Sequence, residues 1–291
     1  MQMQTLTRFV AGWIHATCAV LCFSGCGGND ATSGHSLKVI AWNVESGGSD
    51  PQVVAKRIGD FQGVDIWGLS EVSDSDAASL FEDAAEEGEG ADFEGVLGST
   101  GFSDRLQVIY DEERFQEIEN YELHEINPGG RVRSPLVVRL YDTGARQEFL
   151  FVVNHLYRSS DVGRHEQSRL LNEWARGQTL PILSVGDFNF DWDVVKGDED
   201  HDAGYDLLTA DGVFAWVRPE APLVPTQYSE HESVLDFIFV AGGFLGWEAA
   251  ATIVVQPGDF PDTAATSDHR PVMAVFRTGG VSATRAGALA W

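Results

Sequence analysis

Residues 182–189 read Ile-Leu-Ser-Val-Gly-Asp-Phe-Asn, an apolar run closed by a carboxylate and an amide. Pro181 interrupts whatever precedes it, because proline lacks the backbone donor that a helix or inner strand requires. The stretch 182–185 is short and nearly all apolar, which is how a strand covered on both faces reads. Asp187 and Asn189 then follow it. Both residue types favour turns, so the motif alone fits a plain turn as well as a site. The site reading draws on a general habit: buried strands of α/β proteins deliver ligand-binding groups at their carboxyl ends.

The same pattern recurs along the chain. A strand over 37–42 ends at Asn43, one over 64–69 runs into Glu71, and one over 149–154 closes at Asn154-His155. Asp236 sits inside the apolar run 234–240, where a carboxylate is costly unless paired. Asp268-His269 precedes a strand over 271–276, and His269 is the natural partner type for Asp236, although a purely structural pair is also consistent. Further strands are expected over 106–110 and 134–140. Asp50 and Pro51 open a helix with Val53, Val54, Ile58 and Phe61 on one face. An acidic helix over 74–87 and another over 162–176 complete the elements. Such buried strands with interspersed helices predict an α/β protein with sheets covered on both faces. Carboxylates, amides and imidazoles gathered at the strand ends would suit a hard cation with acid–base partners.

The N-terminus reads differently from the rest. Residues 1–25 hold one base, Arg8, no acid, and an apolar run ending in small residues, as a secretory signal does. Residues 21–26, Leu-Cys-Phe-Ser-Gly-Cys, resemble the lipobox of bacterial lipoproteins, which implies lipidation of Cys26. The expectation is an exported, membrane-anchored lipoprotein at the outer membrane, periplasm or cell surface. The domains then run 1–25 signal, 26–35 lipidated cysteine and tether, 36–277 one folded domain, and 278–291 a C-terminal tail. Cys18, Cys22 and Cys26 are all the cysteines, so the folded domain relies on its core rather than on disulfides. A formal net charge of −26 repels polyanions, which disfavours long nucleic acid as a substrate without excluding it. The acidic run 198–202 reads as a solvated loop, with a second cation as the alternative.

Six motifs, taken in order, carry a resemblance: Ala41-Trp-Asn-Val-Glu45, Leu69-Ser-Glu-Val72, Val153-Asn-His-Leu156, Gly186-Asp-Phe-Asn189, Leu235-Asp-Phe-Ile238 and Ser267-Asp-His-Arg-Pro271. Together they resemble the ordered motif set of the endonuclease/exonuclease/phosphatase superfamily, the DNase I-like group. Arg164, Gln167, Leu171 and Pro225-Thr226 fit the same pattern. The resemblance implies a four-layer α/β sandwich of two mainly antiparallel sheets flanked by helices. It implies a Mg²⁺ or Mn²⁺ cofactor held by Glu71 with Asn43 beside it, completed by Asp268, with Glu45 as a further or outer ligand. Asp187, oriented with Asn189, would position and deprotonate the attacking water. His269, held by Asp236, and His155 would contact the phosphoryl group. Arg158 and Arg131 are the candidates for gripping substrate phosphate, with Arg133 and Lys196 behind them. The implied activity is metal-assisted in-line hydrolysis of phosphodiesters or phosphomonoesters by a monomer. An extracellular nuclease, a sphingomyelinase-like phospholipase, and a non-catalytic surface binding protein are the alternatives.

Overall fold

The computed structural model describes residues 35–194, 200–220, 222–228, 232–260 and 265–277. The expected signal, Cys26, most of the tether, the tail and Lys196 lie outside the described residues. The continuous apolar runs conceal a period of two. In β1 (Ser36–Asn43), Leu37, Val39 and Ala41 enter one hydrophobic core, while Ile40 and Trp42 enter a second. Successive side chains of a strand point to opposite faces, so a strand with both faces buried looks uniformly greasy. The first core lies between the two sheets. The second lies between β1, β2 (Ile66–Val72) and the helices α1 (Pro51–Gly59) and α2 (Ser75–Glu89). Asp50 caps α1 by accepting from the Gln52 N–H, and Asp74 caps α2 in the same way from Asp76 and Ala77.

The chain continues through β3 (Phe93–Leu97), β4 (Arg105–Asp111), β5 (Phe115–Glu122), β6 (Leu136–Asp142) and β7 (Gln147–His155). Then follow α3 (Asp161–Arg176), β8 (Ile182–Asp193), α4 (Ala203–Thr209), β9 (Phe214–Trp216), β10 (Ser233–Ala241), β11 (Glu248–Ile253) and β12 (Val272–Arg277). One six-stranded sheet has the order β11-β12-β1-β2-β4-β3 and the other β5-β6-β7-β8-β10-β9. The expected α/β sandwich is therefore present. Gly68 on β2 lets the sheets approach closely there, because a Cβ would lie 2.4 Å from the Val185 side chain on β8.

Two pairings decide where the site forms. Only β1–β2 and β7–β8 are parallel among the described pairs, so each pair brings two strand ends to the same pole. The register sets Asn43 beside Ser70, and His155 beside Asp187. Asp236 lies opposite Asp187 across the antiparallel β8–β10 pair. The turn into β12 returns Asp268 and His269 to the end of β1, where Ala41 pairs with Val272.

Several element boundaries differ from the sequence reading. β8 continues to Asp193, so Asp187 and Asn189 lie inside a strand rather than after it. Glu71 likewise lies inside β2, at a register shift between Ser70 and Val72. The sequence reading omitted β3, β5, β9, β11 and α4. The edge strand β5 reads Phe-Gln-Glu-Ile-Glu-Asn-Tyr-Glu, too charged to register as a strand, and β11 is largely alanine with exposed positions. Charged and weakly apolar edges discourage pairing with other chains, and they hide the strand signal for the same reason. In the 198–202 run, Asp198 and Glu199 lie outside the described residues. Asp202 is no solvated charge: it caps α4 and accepts from Arg164 at 2.6 Å.

Candidate active site

The site grows from Asn43, whose side chain is buried at the end of β1. Its carboxamide oxygen accepts from the Glu45 N–H at 3.0 Å, which directs its NH₂ group toward two carboxylates. That group donates to Glu71 Oε1 at 2.9 Å and to Asp187 Oδ2 at 3.1 Å. A single amide thus ties one acidic residue from each sheet. Asp187 is 2% exposed, and its other oxygen accepts the Asn189 N–H at 3.0 Å. Glu45, Glu71 and Asn189 all adopt positive φ, at 54°, 61° and 54°. Such backbone costs about 1–3 kcal/mol per residue in general, and this clustering at one pole is what a functional site shows.

Two imidazole–carboxylate pairs face the same hub. His269 Nδ1 lies 2.7 Å from Asp236 Oδ2, and its Nε2 lies 3.9 Å from Asp187. Burial alone would lower the His269 pKa. The carboxylates of Asp236, Asp187 and Asp268 outweigh it and raise the imidazole above its usual range. Burial raises the Asp236 carboxyl, opposed by His269 and by the Thr226 hydroxyl. The second pair is His155 with Asp104, Nδ1 to Oδ1 at 3.3 Å. His155 Nε2 then stands 3.5 Å from Asp187 and 3.7 Å from Glu71. Burial pushes the Asp104 carboxyl up, but His155 and Arg133 together hold it below the usual range.

A polar cavity of about 340 Å³ opens over these groups, lined by Glu45, Glu71, Asp187, Asn189, Asp268 and His269, with Arg158, Gln227, Leu235 and the 46–48 turn. Glu45 Oε2 accepts the Asp268 N–H at 2.9 Å, and Gln227 Nε2 donates to Asp268 Oδ2 at 2.8 Å. Arg158 reaches the lining because Arg164, buried in α3, donates to the carbonyls of Tyr157 and Arg158 at 2.8 and 3.1 Å. Arg131 is exposed and outside this lining. Arg133 is spent internally, on the His155 carbonyl at 3.0 Å and on Asp104 at 2.5 Å. The structure therefore brings Asn43, Glu45, Glu71, His155, Asp187, Asn189, Asp236, Asp268 and His269 to one pole. Asp104 and Gln227 escaped the sequence reading. Asp104 lies in a loop with no motif around it to mark a role, and Gln227 stands just beyond the Pro225-Thr226 pair that the sequence reading did mark.

This arrangement coincides with a family pattern that spans nearly the whole described chain: the profile of the Endonuclease/Exonuclease/phosphatase family matches residues 40–269. The chain belongs to that family. Membership in the endonuclease/exonuclease/phosphatase family carries an enzyme class with it, hydrolysis of phosphoric esters. The chain is similar in fold to an endonuclease/exonuclease/phosphatase family protein of Bacteroides thetaiotaomicron, at 19% identity and a TM-score of 0.61, over 84% of this chain and 95% of that one. It is also similar to the mannosyl-6-phosphatase of the same organism, at 19% identity and a TM-score of 0.60, over 82% and 98%. TDP2 of D. rerio, complexed with a single-strand DNA product, gives 14% identity and a TM-score of 0.63 over 84% and 99%. No curated protein sequence matches the chain.

Enzymes of the endonuclease/exonuclease/phosphatase family generally depend on a divalent metal, and the donor set here fits one. In each of two groups the donor atoms lie within 4.8 Å of one another: Glu71, Asp104 and His155 in one, and Asp187, Asp236 and His269 in the other. Asp104 and Asp236 are already paired with Arg133 and His269 behind the cavity wall. The carboxylates of Glu45, Glu71, Asp187 and Asp268 line the opening itself. Their convergence is repulsive without a cation, and oxygen donors with room for water suit a hard divalent ion. Asn43 holds Glu71 and Asp187 through its NH₂ group, and its oxygen, which accepts the Glu45 N–H, keeps a second lone pair.

Proposed function

We propose that the protein is an exported, lipid-anchored hydrolase of small phosphate esters that uses Mg²⁺ or Mn²⁺. The observation that carries the reading is Asp187, buried between Asn43, His155 and His269 at the floor of a cavity whose wall includes Arg158. Glu71, Glu45 and Asp268 would hold the ion, with Asn43 fixing the Glu71 carboxylate. When bound, the ion supplies Lewis-acid stabilisation of charge on the phosphoryl oxygens. Asp187 accepts the proton of the attacking water, and the Asn189 N–H on its second oxygen fixes the direction of approach. His269, kept positively charged by Asp236, donates to a phosphoryl oxygen, and His155, backed by Asp104, donates from the other side. Arg158 grips the phosphate from the rim.

The acidic surface favours small esters over long polyanions. The likeness to a mannosyl-6-phosphatase and to ANGEL2, a 2′,3′-cyclic phosphatase, supports the same preference. The export and anchoring part of the proposal rests on the lipobox-like residues 21–26 alone. The test is a turnover screen of the purified protein with Mg²⁺, Mn²⁺ or Ca²⁺ against sugar phosphates, p-nitrophenyl esters, sphingomyelin and DNA. Asp187→Asn serves as the control. Expected is metal-dependent release of phosphate from small esters, reduced by at least roughly 10²-fold in the variant. Equal turnover by both proteins would sink the assignment of Asp187. No turnover with any ester would favour a non-catalytic binding protein.

A further inference from the structure

His269 lies in an extended segment that is held from both sides. Backbone groups of successive residues in such a segment point in opposite directions. Those of its neighbours turn to residues 226–228: the Asp268 carbonyl accepts the Tyr228 N–H at 2.7 Å, and the Arg270 N–H donates to the Thr226 carbonyl at 2.6 Å. The N–H and carbonyl of His269 itself turn the other way, to the end of β1. Its N–H donates to Ser267 Oγ at 3.0 Å, and that hydroxyl donates in turn to the Asn43 carbonyl at 2.6 Å. Its carbonyl accepts the Trp42 indole N–H at 2.9 Å.

Both side chains that make these ties are buried, Trp42 fully and Ser267 to 1% exposure. Packing does not ask for an indole N–H at Trp42. Trp67 fills the same hydrophobic core, and its Nε1 has no hydrogen-bond partner. Nor is Ser267 there for bulk, because its hydroxyl uses a donor toward β1 and an acceptor toward His269. The consequence reaches across the cavity. Trp42 and the Asn43 backbone fix His269, while the Asn43 side chain holds Glu71 and Asp187. Asp236 grips the imidazole at Nδ1, but where Nε2 stands relative to Asp187 depends on where the His269 backbone is pinned.

We propose that Trp42 and Ser267 are positioning residues of the hydrolase, which set the place of His269 Nε2 opposite Asp187. The inference rests on the hydrolase reading above. A phosphoryl group between the two is attacked from one side and stabilised from the other, and a misplacement of about 1 Å in such a site costs roughly 10²-fold in rate.

Trp42→Phe and Ser267→Ala each remove one tie. Trp67→Phe is the control: it takes an indole from the same core without touching His269, and thermal melting measures the loss of stability in all three. With the best ester of the turnover screen, Trp42→Phe and Ser267→Ala are each expected to lower kcat about tenfold, while Trp67→Phe stays within about twofold. KM and the Mg²⁺ dependence should change less than about twofold, because Asp268 keeps its own ties to Glu45 and Gln227. The same changes are then made in His269→Asn, whose amide keeps a donor for Asp236 and lacks Nε2. There the further loss should be under about twofold, since a residue that acts through His269 has nothing left to position.

An equal loss in both backgrounds, or an unchanged kcat in the wild-type background, would overturn the proposal. Should Trp42→Phe fail to fold, Ser267→Ala decides alone. If the wild type turns over no ester, the hydrolase reading has failed, and the ties are decided by NMR of the His269 Nδ1 proton shared with Asp236. That resonance should move in Ser267→Ala and Trp42→Phe and stay in Trp67→Phe; an unmoved resonance in all three overturns the positioning role.

Discussion

Asp104 is the residue whose loss should be most informative, because it touches both a candidate catalytic imidazole and a buried guanidinium. Replacement by Asn keeps an acceptor for Arg133 and removes the charge that faces His155 Nδ1. Asp104→Asn is expected to lower kcat by roughly 10²-fold while KM changes little, since an orienting carboxylate acts on the transition state more than on substrate capture. Asp104→Glu should recover part of the loss. A fall in KM-type binding with kcat intact would show that Asp104 holds the loop and not the imidazole. At this scale the sequence marked Asp187, His155, Asp236 and His269, because each sits in a motif. Asp104 and Gln227 were invisible, since their importance lies wholly in which side chain the fold sets beside them.

At the scale of elements, the connection between β7 and α3 is set by one buried arginine. Arg164 holds the carbonyls of Tyr157 and Arg158 with one nitrogen, and Asp161 and Asp202 with the other. The Asp202 carboxyl, pushed up by burial, is drawn below its usual value by Arg164, the Gly204 N–H and His165. A depressed carboxylate stabilises the fold above its unfolded pKa, and that stabilisation is lost as pH falls through the folded value. Asp202→Asn is therefore expected to cost about 1–2 kcal/mol at neutral pH, a cost that shrinks as the medium is acidified through and below the usual carboxylate range. Urea melts of both proteins across acid pH check this. A difference that stays constant down to the lowest pH would show that the loss is one of packing. The helix was legible from sequence to within a residue or two; its cap at Ser160 and the cross-chain tie from Arg164 to Asp202 were not.

For the whole molecule, the charge of −26 is the dominant non-local term. Self-repulsion of that size destabilises the compact state, and salt screens it, the Debye length falling to about 3 Å near 1 M. Melting temperature is expected to rise with sodium chloride, by about 2–4 °C for each kcal/mol of repulsion removed. Calorimetry over a salt series measures this directly, and a falling Tm would mean that paired surface charges outweigh the net excess.

The sequence by itself determined an α/β class, the order of the buried strands and the identity of most polar residues at their ends. Those are local properties: an apolar run, its length, and the residue that terminates it. The two-sheet sandwich was implied only by the resemblance of the six motifs. The sequence could not reveal the charged edge strand β5 or the alanine-rich β11, whose pairing depends on neighbours rather than on their own composition. Only the tertiary structure decided that two parallel pairs, β1–β2 and β7–β8, point their ends at one pole and that Asn43 bridges carboxylates of both sheets. Positions 28 and 144 residues apart along the chain meet there because strand register is a global outcome, fixed by the two cores together and by no single segment.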